Sequence, residues 1–314
     1  MIMGTNKNLH KAKSEKNDEF YTRYDDIAKE IVNYPGAFKG QRVYCPCDHY
    51  LKSNFVKYFK EHFQELGLRH LTSTHINLDG TSSERYDYDG VKETVVPLLG
   101  NGDFRSEECT RILNDCGVVV TNPPFSLFRE FVSWLNMKMF LIIGNTNAIK
   151  YKEIFPLIKN NDMWVGCSSF NCGMYFDVPS EYSEWDVYKG NKSNPNMIRV
   201  SSICWFTNID HKKRHIKLEL YNGDVKYDKF DNYDAINIPN IKMIPDNYSG
   251  VMGVPITFIG KFNPNQFELV DLLNRYTVLG TGDNDKVRMN HSHMCNINGK
   301  PVFSRVLIRS KQYG

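Results

Sequence analysis

Asn122-Pro123-Pro124-Phe125 follows directly on the apolar run Val118-Val119-Val120-Thr121, and each residue of the tetrapeptide has a use at a conjugated amino group. The exocyclic nitrogen N6 of adenine is a poor nucleophile because its lone pair is delocalised into the purine ring. Two acceptors placed on its hydrogens, the Asn122 side-chain oxygen and the Pro123 carbonyl, would draw electron density back onto it. Proline suits that task, since it fixes its own φ and keeps the preceding residue out of the helical region, so the carbonyl is set before a base arrives. Pro124 continues the stiff bend, and Phe125 would stack on the base. The same residues also make an ordinary exit from a strand, because Asn-Pro is a common turn dipeptide.

Such a turn needs a strand to present it and a neighbouring loop to hold a cofactor. Val118–Thr121 is β-branched and apolar, the composition of a buried strand. Gln41–Cys45 reads as another strand. It runs into Pro46-Cys47-Asp48 and then into a helix in which Phe55, Tyr58, Phe59 and His62 share a face, with Ser53 or Asn54 as its cap. In open α/β sheets ligands lie beyond the carboxyl ends of the strands, so this first loop is where a nucleotide-like cofactor would sit. It lacks the GxGxxG glycines, and Asp48 is equally readable as a turn aspartate. Arg69–Ile76 predicts a further strand, the polar stretch Leu78–Gly90 an excursion or small hairpin, and Ser106 the cap of a helix through Asn114. Asp103, just before that helix, would lie on the cofactor side of the sheet or simply in a surface loop. Ser126 is expected to cap the next helix, whose Phe128, Phe131, Val132 and Leu135 form a single stripe, and Met139–Gly144 is the strand after it.

Strand and helix alternate up to about Lys150, which predicts an α/β fold with a mostly parallel sheet. Beyond it, Met163–Phe176, Ile198–Asn208 and Arg214–Tyr221 read as strands of a mixed extension with long loops. That region carries the densest basic run, Lys212-Lys213-Arg214 with Lys217, and a second cluster of Arg305, Arg309 and Lys311. A short basic run is more often a solvated surface than a phosphate contact, but next to an adenine-directed turn the contact becomes a reasonable expectation.

The 314 residues, 41% of them hydrophobic, are enough for one large domain or two ordinary ones. No apolar run is as long as about 18 residues and no secretion signal is present, so a soluble, cytoplasmic protein is expected. Eight scattered cysteines without CxxC spacing argue against a zinc ribbon or a disulfide framework. His291 and His293 alternate on one candidate strand, too few ligands for a metal. Net charge is only +3, so a partner with dense negative charge would have to meet a local basic surface.

With these residues in view the chain resembles the EcoRI-type adenine-specific DNA methyltransferases. The segments that carry the resemblance are Asn17-Asp18-Glu19-Phe20-Tyr21-Thr22, Cys47-Asp48 with Ser53-Asn54-Phe55, Gly102 to Cys109, Thr121 to Glu130, and Gly253-Val254-Pro255-Ile256-Thr257-Phe258 with Asn263-Pro264 and Gln266-Phe267-Glu268. The tetrapeptide alone is shared by many amino-methyltransferases; the combination is far more specific. It implies a Rossmann-like core and S-adenosylmethionine as cofactor, held by Asn17, Phe20, Tyr21, Thr22, Cys47, Asp48, Asn54, Asp103, Phe104 and Asn122. It further implies Asn122, Pro123, Pro124 and Phe125 as the catalytic turn, and Lys212, Lys213, Arg214, Lys217, Arg305 and Arg309 on double-stranded DNA, with no metal. The organisation expected is a flexible basic arm over 1–16, a cofactor and catalytic core over 17–150, and remaining core elements with target recognition over 151–314. A monomer is expected, and a cognate restriction endonuclease is a compatible partner. No acid ends the strand at His75-Ile76-Asn77, where related folds hold the cofactor ribose, and Asp79 is a weak substitute. An RNA adenine or protein glutamine methyltransferase would use the same turn, and a catalytically silent DNA-binding relative would keep the same fold.

Overall fold

A computed structural model describes residues 21–78, 80–168, 170, 172–177, 197–231, 233–273, 276–278, 286–288 and 295–311. The chain divides into two compact units, Met1–Thr146 with Val165–Asp210, and Asn147–Trp164 with His211–Gly314. The 1–16 arm, Asn17, Phe20, Asp79 and the His291/His293 pair lie outside the described residues.

The strands are β1 (Tyr21–Thr22), β2 (Arg42–Cys45), β3 (His70–Thr74), β4 (Glu84–Tyr88), β5 (Glu93–Pro97), β6 (Val118–Thr121), β7 (Met139–Asn145), β8 (Trp164–Val165), β9 (Met174–Asp177), β10 (Met197–Val200) and β11 (Ile203–Thr207). Between them run the helices α1 (Tyr24–Ile31), α2 (Asn54–Glu61), α3 (Glu107–Asp115), α4 (Phe128–Trp134) and α5 (Phe155–Lys159). An eight-stranded sheet has the order β5-β4-β3-β2-β6-β7-β11-β8. Its centre, β3-β2-β6-β7, is parallel, as helical crossovers require. Its flanks are antiparallel, β4 and β5 as a hairpin on β3, and β11 on β7. The sheet is therefore mixed rather than mostly parallel. The hairpin follows from a tight turn in which the Asp89 carboxylate accepts from the amides of Val91 and Lys92 at 2.9 and 2.7 Å, and a turn that short can only reverse the chain.

A second sheet of the first unit, β1-β9-β10, is antiparallel throughout. Two runs expected as single strands are each broken in two. Met163–Phe176 bends after Val165, where Gly166 passes so close to the Glu30 carboxylate and Trp205 that a Cβ there would sit 2.3 and 2.6 Å from them. Ile198–Asn208 turns at Ser202, whose φ is 61°, and so feeds two different sheets. Ile27, Ile31 and Tyr34 of α1 and its continuation join Val43, Phe55, Phe59, Leu71, Val118, Val120, Leu141 and Trp205 in the core.

The other unit carries β12 (Ile236–Asn237), β13 (Met252–Pro255), β14 (Phe267–Leu273), β15 (Tyr276–Val278), β16 (Lys286–Arg288), β17 (Asn296–Ile297), β18 (Lys300–Pro301) and β19 (Arg305–Ser310). They form a four-stranded sheet, β12-β13-β19-β14, and two small hairpins, β15-β16 and β17-β18. The strand expected over Arg214–Tyr221 is absent. Lys212–His215 is a one-turn helix, and Leu218 finds its partner in a side chain: the Gln266 amide accepts from its N–H and donates to its carbonyl, both at 2.8 Å. An amide that satisfies both backbone groups removes the need for a neighbouring strand.

Candidate active site

Strand β6 is wholly buried and ends at Thr121, so the bend that follows emerges at the carboxyl end of the parallel centre. Pro123 is buried, while Asn122, Pro124 and Phe125 are half-buried. The two prolines hold the chain extended, with Pro124 at φ −54° and ψ 124°, and only then does Leu127 donate to the Pro124 carbonyl at 3.0 Å to close a 3-10 turn. That turn occupies Phe125–Leu127, so α4 begins one step later than expected. Ser126 lies inside the turn, and the cap position falls to Leu127, which provides no side-chain cap.

The loop after β2 meets this turn. Asp48 is buried, and its two carboxylate oxygens accept from different places: Oδ1 from Ser53 Oγ at 2.6 Å, Oδ2 from Thr121 Oγ1 at 2.6 Å. Its amide donates to the Thr74 carbonyl at 2.8 Å, at the end of β3. Ser53 in turn caps α2 by accepting from Phe55 N at 3.0 Å. Cys47 is half-buried beside Asp48, and burial pushes its thiol well above the usual range. Burial likewise pushes Asp48 up to about 6, although the Ser53 and Thr121 hydroxyls pull the other way.

The sign of that shift is testable. A carboxyl whose folded pKa is raised contributes stability that is fully present below about pH 4 and is lost as pH rises through about 6, some two pKa steps or about 3 kcal/mol. Between about pH 4.5 and 7 the thermal stability of the wild type is expected to fall relative to Asp48→Asn. Parallel pH profiles for the two proteins would contradict it.

Tyr21 and Thr22 form β1, and the Asn54 side chain donates to the Thr22 carbonyl at 2.8 Å, tying that strand to the start of α2. Thr22 is opposite Phe176 of β9, whose ring lies 6.5 Å from that of Phe125, edge on. The structure thus brings Thr22, Asn54, Phe125 and Phe176 into one neighbourhood, and Asp48, Ser53 and Thr121 into another along the same loop and strand ends.

Asp103 lies in the turn before α3, where Arg105 grips it with a fork: Nε to Oδ1 at 3.0 Å, Nη2 to Oδ2 at 2.6 Å, and the amide to Oδ1 at 2.9 Å. The guanidinium holds its carboxyl below the usual range and also reaches Glu130 at 2.9 Å. Phe104 is a core residue. Its ring is packed at 5.0 Å from Phe131 and 5.3 Å from Trp134.

Sequence reasoning missed Glu30. It is fully buried, and its carboxylate accepts from Tyr34 OH at 2.6 Å, from the amides of Cys167 and Ser168 at 2.7 Å each, and from the Ser168 hydroxyl. It anchors the bend that leads toward β9. The available signal was a carboxylate on the apolar stripe of Ile27, Ile31 and Tyr34.

The basic residues of the second unit differ in kind. Lys212 and Lys217 are exposed and Lys213 half-buried. Arg214 is buried, with its guanidinium 3.5 Å over the Trp164 ring and bonded to Asn161. That is a packing role. Arg305 donates to Asn237 Oδ1 at 3.0 Å, and Arg309 is exposed and pairs with Glu268 at 3.4 Å.

A family model described as adenine-specific methyltransferase EcoRI matches residues 8–311. The Type II methyltransferase M.EcoRI of Escherichia coli is 42% identical over 332 residues, covering 98% of this chain and 98% of its own length. The Type II methyltransferase M.MpnI of Mycoplasma pneumoniae is 41% identical over 315 residues, with 97% and 98% covered. M.MgeORF184P of Mycoplasma genitalium is 38% identical over 315 residues, with 97% and 99% covered. No solved structure matches the chain.

Proposed function

Because the chain belongs to the EcoRI family of adenine-specific DNA methyltransferases, we propose that its Asn122–Phe125 turn is the acceptor site and the loop after β2 the donor site of a single reaction. The enzyme is a site-specific DNA adenine methyltransferase; the donor is S-adenosylmethionine, and the product is N6-methyladenine in double-stranded DNA. The observation that carries the reading is that the bend with the two acceptors leaves β6 beside the loop that Asp48 closes. The parallel strands β3-β2-β6-β7 are read as its Rossmann-like centre.

The residues present fit the donor. Among the described residues Thr22 Oγ1 is buried without a hydrogen-bond partner, a state that costs about 1–3 kcal/mol unless a ligand or water answers it. Thr22, Tyr21 and Asn54, with the backbone of Cys47–Asp48, would hold the cofactor, which supplies a methyl group on an electrophilic sulfonium. Asn122 Oδ1 and the Pro123 carbonyl accept the two N6 hydrogens, orient the nitrogen and stabilise the positive charge that develops on it, so catalysis is positioning plus preorganised acceptors. The target adenine has to leave the duplex stack, at a cost of a few kcal/mol. Phe125, half-buried at the edge of the turn, replaces part of that stacking.

In the second unit the exposed Lys212 and Lys217 would meet phosphate, with Arg309 available on release from Glu268. Among the described residues no helix is long and apolar enough to cross a membrane, which fits work on DNA in the cytoplasm. The enzyme acts as a monomer, one adenine per turnover, and an endonuclease of the same specificity would complete a restriction-modification pair. Transfer of labelled methyl from S-adenosylmethionine is expected into duplex DNA and not into RNA or protein; label in either of those alone contradicts the reading. Lys212→Ala and Lys217→Ala are each expected to lower the slope of log affinity against log salt by about one, without change in the recognised sequence. An unchanged slope would remove them from the interface.

A further inference from the structure

The Asp48 carboxylate has two hydroxyl partners that belong to opposite halves of the proposed site. Ser53 caps the helix of the donor loop, and Thr121 is the last residue of β6, bonded covalently to Asn122. Neither partner is a surface group. Thr121 is wholly buried and Ser53 is 5% exposed, while Asp48 itself is 7% exposed. Each link is 2.6 Å, short for a hydroxyl donor and in the range of charge-assisted bonds. The Ser53 oxygen already accepts from Phe55 N, so its proton is the one directed at Asp48. A carboxylate is costly to bury, and here its oxygens serve internal hydroxyls instead of facing open solvent.

We propose that Asp48 and Thr121 form a positioning pair: one buried carboxylate sets the donor loop and the acceptor turn against each other, and acts on the reaction through Thr121 rather than by holding the cofactor. This rests on the reading of the site given above. The consequence is a particular kinetic pattern. Loss of the Thr121 hydroxyl frees the strand end that carries Asn122 and leaves the donor loop capped by Ser53. The acceptors on N6 then lose registration with the methyl carbon, and a misplacement of about 1 Å can cost about a hundredfold in rate. Cofactor affinity, set by β1, Asn54 and the loop backbone, stays.

The test measures kcat at saturating DNA and S-adenosylmethionine, with calorimetric affinity for S-adenosylmethionine, in the wild type, Thr121→Val, Thr121→Ser, Asp48→Asn and Asp48→Asn/Thr121→Val. Thr121→Val is expected to lower kcat by about ten- to a hundredfold with affinity changed less than about threefold, and Thr121→Ser to return kcat to within about threefold of the wild type. The double variant is expected to be no slower than the slower single one, because both changes act on the same Asp48–Thr121 link. Three results would overturn the pair: a wild-type kcat in Thr121→Val, a loss in Thr121→Ser as deep as in Thr121→Val, or an Asp48→Asn enzyme whose only defect is cofactor affinity. A wild-type enzyme that methylates no DNA would instead remove the reading on which the pair rests.

Discussion

Replacement of Asn122 by alanine is expected to cut methyl transfer by about a thousandfold while S-adenosylmethionine still binds. The size follows from what the residue supplies. Removing one preorganised hydrogen-bonding group from a reacting centre costs about 10²–10³ in kcat, and here the same group also fixes the angle at which a weakly nucleophilic nitrogen faces the methyl carbon. The Pro123 carbonyl remains, so a low residual rate is expected rather than none. Asn122→Asp keeps an acceptor oxygen and should fall between the two. Single-turnover transfer with saturating cofactor separates the chemical step from binding. An Asn122→Ala enzyme with wild-type turnover would take the turn out of the chemistry altogether.

Gly102→Ala is the second large expected effect, and it is one of folding. Gly102 has φ +83°, a backbone conformation that side chains disfavour, and a Cβ there would lie 1.8 Å from the His75 carbonyl oxygen and 2.8 Å from Ser83 Cβ. The nearest obstacle is main chain at the end of β3, and it cannot swing aside. It is held by Ser83 Oγ donating to the His75 carbonyl at 2.6 Å, and by Asn77 N and Ser83 N donating to the carbonyls of Asn101 and Gly100 at 2.8 and 3.0 Å. Either the turn or the strand end has to move, and a loss of about 3–5 kcal/mol is expected, or a fall of at least about 6 °C in the melting temperature of that unit. Gly100→Ala, whose Cβ would meet nothing within 4 Å, should melt within about a degree of the wild type. Equal melting temperatures for the two variants would show that the 75–83 and 100–103 segments are not locked in this way.

The parts of the site legible in the sequence were those written in local chemistry. The Ser106 cap is where its spacing put it, accepting from Cys109 N at 3.1 Å, and of the two candidates Ser53 and Asn54 it is Ser53 that caps α2, accepting from Phe55 N at 3.0 Å, because a cap is a contact between near neighbours. The bend after β6 was legible for the same reason: β-branched residues followed by two prolines leave few backbone choices. What could not be read depends on partners far along the chain. Glu30 owes its burial to amides at 167 and 168, Arg214 to Trp164 and Asn161, and the extended path at Leu218 to a glutamine 48 positions away. Side chains that answer distant groups look, in sequence, like ordinary polar residues. Ser126 shows the converse error. Its type suits a cap, but the prolines before it set the turn that takes its place.

The flanks of the large sheet show the same division. The tight Asp89 turn makes β4 and β5 a hairpin and is a local fact, visible as a polar excursion near Gly90. The antiparallel return of β11 onto β7 is not local, since its register, Ile203 against Asn145, joins residues separated by α5, β8, β9 and β10.

The decisive coordinate is the position of N6 of the target adenine. A structure of the protein with S-adenosylhomocysteine and a duplex carrying its recognition sequence measures that directly. The expected result is an adenine outside the duplex with N6 about 3 Å from both Asn122 Oδ1 and the Pro123 carbonyl, and the cofactor sulfur on the opposite side of that nitrogen, beyond the loop that Asp48 closes. An adenine still stacked in the duplex, or a flipped one whose N6 meets other groups while Asn122 faces away, would contradict it.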